Sequence, residues 1–171
     1  MNFCVLGADA WGTALAIKLI QQGHSVTLVP DQMDAAMELA SSRVNSVHLL
    51  GCTLPLQLQI GFEVKPVLME ADVVVLAVPS EQLRSQCEAV ASYMDSSVAL
   101  KLAIVLGPGF EDELFVQLGE LVETFLPGVP YAELTTTGTP EEIVQGKADV
   151  VRLSGSGDEN FLTQVKEAIA Q

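Results

Sequence analysis

Apolar and polar positions along the chain follow two rhythms. Short apolar runs at 3–6, 25–29, 73–78 and 98–105 read as strands. Between them, apolar residues recur every three or four positions, the spacing of one helix face. The runs at 73–78 and 98–105 are apolar throughout, as strands covered on both faces must be. A helix is expected over 11–22, closed by Gly23 as a C-terminal cap. Pro30 stops the second strand, and Asp31 or Gln32 starts a helix reaching about Ser42. Residues 43–55 lack periodicity and read as a long loop. A short strand at 57–60 and one helical turn at 66–71 precede the 73–78 run. Ser80 is expected to cap a helix with Leu83, Cys87, Val90 and Met94 on one face. A loop at 106–109 follows the 98–105 strand. Residues 112–126 give the clearest amphipathic helix, with Leu114, Leu118, Leu121 and Phe125 inward. Prolines at 127 and 130 break it. A strand at 131–134, a short helix at 139–145, a strand at 149–153 and a turn at 154–157 follow. Asp158 caps a last helix with Phe161, Leu162, Val165 and Ile169 inward. This alternation predicts an α/β fold: a doubly wound, mostly parallel sheet with helices on both faces. There is no repeat, low-complexity tract or internal linker, so one domain is expected to span 1–171.

Composition narrows the function classes. Apolar residues make up 49% of the chain, enough for a sizeable core. No apolar run reaches the length of a bilayer span and no secretory leader pattern is present, so a cytoplasmic protein is expected. Net charge is −14. Nucleic acid and anionic membranes both require a basic footprint, so neither is expected as a partner. Residues 102–146 hold eight carboxylates and no Lys or Arg. That stretch reads as a solvated face, or as a patch that repels anions or docks a basic partner. Cys4, Cys52 and Cys87 are odd in number and far apart, which indicates neither a disulfide framework nor a thiolate metal site. No metal-loop spacing appears among the acids.

The candidate chemistry lies at the first strand-to-helix turn, Gly7-Ala8-Asp9-Ala10-Trp11-Gly12. A dinucleotide-binding turn reads G-x-G-x-x-G: the first Gly allows the tight turn, the second lets backbone approach a pyrophosphate, the third allows close helix–strand packing. Here Asp9 takes the middle place and puts a carboxylate where a dianion should sit. The fold signal is retained and the cofactor signal is compromised. Asp31 lies 19 residues beyond Gly12, about where an acid accepts from a ribose 2′-hydroxyl and favours NAD over NADP. Alternatively, Asp31 caps the following helix. His24 reads as a loop or surface residue. No Ser/His/Asp or Cys/His arrangement has suggestive context.

Four further segments match one family in order and spacing. They are Arg43-Val-Asn45-Ser-Val-His48-Leu-Leu-Gly51 with Leu54-Pro55; Val78-Pro79-Ser80 with Leu83-Arg84; Val105-Leu106-Gly107; and Glu141-Glu142-Ile-Val-Gln-Gly146. With Trp11-Gly12-Thr13-Ala14-Leu15-Ala16, the chain resembles the N-terminal, dinucleotide-binding domain of NAD(P)-dependent glycerol-3-phosphate dehydrogenase. The resemblance implies hydride transfer between a nicotinamide and glycerol 3-phosphate or dihydroxyacetone phosphate. It places Gly7, Ala8, Asp9, Ala10, Trp11, Gly12, Asp31, Pro79 and Pro140 at cofactor positions. It places Leu106, Thr136 and Gly138 at substrate positions, where the family carries Lys, Gly and Ser; His48 stands for a family tyrosine. The helical domain that carries the family's catalytic lysine and phosphate-binding arginine does not follow within these residues, so no catalytic residue is assigned and no turnover by this chain alone is expected. The cofactor implied is NAD, bound weakly or lost. A non-catalytic binding or regulatory module is the alternative. A homo-oligomer, or a partner chain supplying the second half, is expected to cover the site face.

Overall fold

The computed structural model describes residues 1–106, 112–148 and 150–170. The elements run β1 (Asn2–Leu6), α1 (Ala10–Gln21), β2 (Ser25–Val29), α2 (Met33–Ser42), β3 (Gln59–Ile60), α3 (Val64–Glu70), β4 (Val73–Leu76), α4 (Ser80–Tyr93), β5 (Leu102–Leu106), α5 (Asp112–Phe125), β6 (Tyr131–Thr136), α6 (Pro140–Val144), β7 (Val150–Gly155) and α7 (Glu159–Ala170). The strands form one sheet in the order β3-β2-β1-β4-β5-β6-β7. Pairing is parallel from β3 through β6, and β7 runs antiparallel to β6. This is the expected doubly wound, mostly parallel sheet.

Period-two alternation divides the core between the two faces. Phe3, Val5, Val73, Val75, Ile104 and Leu134 pack with Leu15, Leu19, Val165 and Ile169 from α1 and α7. Cys4, Leu6, Val74, Leu76 and Val105 pack with Leu68, Leu83, Cys87, Val90 and Val122 from α3, α4 and α5. Burial pushes the thiol of Cys4 up to about 12 and, chiefly by the same cause, that of Cys87 up to about 11, so both behave as small core side chains.

Helix ends follow local chemistry. Asp158 Oδ1 accepts from the Asn160 and Phe161 N–H groups at 2.7 and 3.2 Å, the expected cap of α7. Thr139 and Glu142 cap α6 reciprocally, with Pro140 at its start. Several expectations need correction. Pro79, not Ser80, is the N-cap of α4; its ring supplies no capping oxygen, and the Ser80 hydroxyl turns to Glu81 instead. The fifth strand begins at Leu102 rather than 98, because Val98 closes a turn on the Asp95 carbonyl. The helical turn at 66–71 extends over Val64–Glu70. The last strand runs on through Gly155, which lies against β6 so closely that a Cβ would fall 2.1 Å from the Tyr131 carbonyl oxygen. The expected inward side chains Leu114 and Leu118, Asp149, and the loop beyond Leu106, including Gly107, lie outside the described residues.

Candidate functional site

Reversal of strand order between β1 and β4 opens a crevice beyond their carboxyl ends, the place where open α/β sheets bind ligands. A cavity of about 260 Å³ occupies it. Its lining includes the turn Gly7-Ala8-Asp9, Pro30 and Asp31 after β2, residues 44–48, and Ala77-Val78-Pro79 after β4.

The turn is fixed by backbone. Gly7 N–H donates to the Val29 carbonyl at 3.0 Å, and Ala77 N–H to the Leu6 carbonyl at 2.8 Å. Gly7 adopts φ +102°, and a Cβ there would lie 2.1 Å from the Ala77 carbonyl oxygen. A Cβ on Gly12 would lie 2.3 Å from the Gly7 carbonyl oxygen. Both glycines are therefore required by protein packing alone. The middle position makes no such demand: Asp9 sits at φ −69°, ψ −176°, extended backbone open to any residue.

Asp9 is the N-cap of α1. Its Oδ1 accepts from the Gly12 N–H at 2.7 Å. The carboxylate so occupies one of the first-turn donors that a helix start otherwise offers to a phosphate. Burial pushes the Asp9 carboxyl above its usual range, while the Gly12 N–H, the nearby His48 and the Trp11 N–H pull the other way. Asp9, Asp31 and Glu38 line the crevice; its lining contains no Lys or Arg, and His48 is its one basic side chain.

The 43–58 loop forms one wall. Arg43 ends α2 with φ 57° and donates through its guanidinium to the carbonyls of Pro55 and of Leu58, the latter at 2.8 Å. Buried Asn45 donates from Nδ2 to the Ala8 carbonyl and to Thr13 Oγ1, both at 2.9 Å, and its Oδ1 accepts from the His48 N–H at 3.2 Å. Arg43 thus closes the loop on itself, and Asn45 ties it to the glycine turn.

Of the sequence-predicted residues, Gly7, Ala8, Asp9, Asp31 and Pro79 meet around this cavity. Trp11 is half-buried against the α1-side core and Gly12 is buried behind the turn; like Ala10, both are outside the cavity lining. Leu106 is buried at the end of β5, in register with Leu134, and presents no polar group. Thr136 ends β6, Gly138 adopts φ +78° beneath Glu142, and Pro140 opens α6; none of these lines the crevice. The capping alternative for Asp31 is corrected, since α2 starts from Gln32 without a side-chain cap. Sequence reasoning missed Glu38, Ser46, Val47 and Gln82 on the lining. Glu38 and Gln82 each lie in the first turns of a helix that follows a strand end, the one signal that could have found them.

This sheet order, with a glycine turn and a crevice at the point of reversal, defines a domain of the Rossmann type. Residues 2–159 match the family described as NAD-dependent glycerol-3-phosphate dehydrogenase N-terminus, and the chain belongs to that family. It is 31% identical over 172 residues to the glycerol-3-phosphate dehydrogenase [NAD(P)+] of Anaplasma phagocytophilum, covering 99% of this chain and 52% of that protein. The enzyme of the same name from Prosthecochloris aestuarii is 32% identical over 169 residues, 98% of this chain and 50% of its own. The glycerol-3-phosphate dehydrogenase structure from Coxiella burnetii superposes with a TM-score of 0.82 at 23% identity, covering 99% of this chain and 51% of that one. The chain thus spans about half the length of the relatives it matches.

A nicotinamide dinucleotide suits the crevice in position and shape. It does not suit the charge at the turn, where the Asp9 carboxylate stands at the helix start among further acids.

Proposed function

We propose that this chain is the nucleotide-binding half of a glycerol-3-phosphate dehydrogenase-type protein, with its grip on dinucleotide much reduced and no turnover by these residues alone. The Asp9–Gly12 contact carries this reading. One carboxylate beside a pyrophosphate at an effective dielectric of about 20 costs about 2–4 kcal/mol. That corresponds to a roughly 30- to 1000-fold loss of affinity. The turn from Gly7 to Gly12 would pass beneath the pyrophosphate, Asp31 would accept from the adenosine ribose and favour NAD over NADP, and Pro79 would sit near the nicotinamide. Leu106, buried where the family resemblance calls for a lysine, supports the absence of catalysis.

Calorimetry of the chain with NADH, NADPH and ADP tests the reading. The parent is expected to bind NADH in the millimolar range, and Asp9→Gly at least 30-fold more tightly. Equal affinity in parent and variant would remove the charge argument. Reduction of dihydroxyacetone phosphate above background by the chain alone would overturn the claim of inactivity.

Leu106 and Asp9 together also favour a second reading, a binding or regulatory module without catalysis. Its expected signature is nucleotide binding without reduction of dihydroxyacetone phosphate even when the separate C-terminal half of a relative is added. Among the described residues no helix is long and apolar enough to cross a membrane, and a cytoplasmic location is part of the same proposal.

A further inference from the structure

We propose that the crevice has changed ligand class, from an anionic dinucleotide to an uncharged nucleoside. The proposal rests on the nucleotide-crevice reading above and concerns which part of a nucleotide that crevice still accepts. Three observations lead to it.

The first is the fixed position of the charge. The Asp9 carboxylate is held on the Gly12 N–H at 2.7 Å, at the start of a helix whose N-cap it forms. A phosphate arriving there must displace this contact or share the space with a second anion. No Lys or Arg in the lining offsets the repulsion.

The second is hydrogen-bond complementarity. Ionised carboxylates only accept, and phosphate oxygens only accept. Asp9, Asp31 and Glu38 therefore have nothing to exchange with a phosphate. A nucleoside brings donors: ribose hydroxyls and, in adenosine, an exocyclic amino group. Apolar Pro30, Leu39, Val44, Val78 and Pro79 supply walls for a flat base.

The third is size. The cavity, about 260 Å³, falls just under the roughly 300–1,000 Å³ of pockets that enclose drug-sized ligands. It has room for a nucleoside, and it adjoins a second cavity of about 490 Å³ that shares Gly7, Pro30, Asp31 and Val78 with it. Asn45, bonded to both the Ala8 carbonyl and Thr13, fixes the loop wall against widening.

Titration calorimetry of the chain with adenosine, ADP and NADH, at fixed ionic strength and neutral pH, tests the idea. Adenosine is expected to bind at least tenfold more tightly than ADP. Asp9→Asn keeps a cap oxygen for the Gly12 N–H and removes the charge. It is expected to shift the adenosine-to-ADP affinity ratio by tenfold or more toward ADP, with a melting temperature near that of the parent. ADP or NADH binding the parent as well as adenosine does would overturn the proposal and leave the nucleotide-crevice reading standing. A ratio unmoved by Asp9→Asn would overturn it as well. Silence toward all three ligands in the parent, Asp9→Asn and Asp9→Gly would remove both.

Discussion

Asp9 answers a demand that the helix makes whatever else is bound. The first N–H groups of α1 need acceptors, and a side-chain oxygen at the N-cap is worth about 0.5–2 kcal/mol. Its contact with Gly12 meets that need. Asp9→Gly gives up a few tenths of a kcal/mol, so a gain in nucleotide affinity in that variant is separable from a change in folding. A second carboxylate shows the opposite shift. Asp72 accepts from Lys101 Nζ at 2.7 Å and from the Asn2 N–H at 3.0 Å. These contacts, Lys101 first, hold its carboxyl below the usual range. A depressed carboxylate contributes stability above the unfolded value of about 4, and that stability is lost as pH falls through it and through the lower folded value. Lys101 is largely in solvent, so the contribution is about 0.5–1 kcal/mol. Lys101→Met is expected to lower the melting temperature at pH 7 by a few degrees. The gap should narrow as pH falls below about 4, toward the lower folded value. A gap that does not narrow at all on acidification would assign the effect to the lost contact over Phe161, which Lys101 overlies at 5.8 Å.

At the scale of elements, β1, β4 and α1 meet at two hydrogens. Gly7→Ala places a methyl 2.1 Å from the Ala77 carbonyl oxygen at φ +102°. Overpacking and backbone strain together are expected to cost about 2–5 kcal/mol. Chemical denaturation of that variant should show a lowered midpoint; an unchanged midpoint would mean the turn is looser than its geometry. The strands and most helices were legible in the sequence because their burial is two-sided or one-sided in plain alternation, as in 73–78 and around Leu83, Cys87 and Val90. Less legible were features set by tertiary partners. The late start of β5 at Leu102 depends on the Val98–Asp95 turn and on the Lys101 N–H reaching the Asp72 carbonyl. The late end of β7 depends on Gly155 lying against β6. The antiparallel direction of β7 carries no local sequence mark at all. At the site, the turn residues and Asp31 could be read from spacing. The roles of Arg43 and Asn45 could not, because their partners at 8, 13, 55 and 58 come together only in the fold.

At the scale of the molecule, the loop that walls the crevice turns apolar side chains outward. Val47, Leu50 and Leu56 are 74%, 72% and 87% exposed, all within 43–58. We propose that these exposed apolar groups on one loop form an interaction surface. Concentration-dependent self-association of the chain is expected in light scattering, with Leu50→Gln/Leu56→Gln returning it to monomer. Monomeric mass at every concentration would refute this. Because the chain spans about half of its relatives' length, the same measurement on a longer polypeptide would show whether that surface is then covered.

Gly7 and Gly12 hold one more lesson. Each is demanded by a neighbouring carbonyl a little over two ångströms from where a methyl would stand. Replacing Gly7 would push the turn off the end of β4, and replacing Gly12 would push α1 off the turn, whether or not any guest molecule ever arrives. Such residues can outlast the trade they once served, and it is the unconstrained place between them that records what the pocket still welcomes.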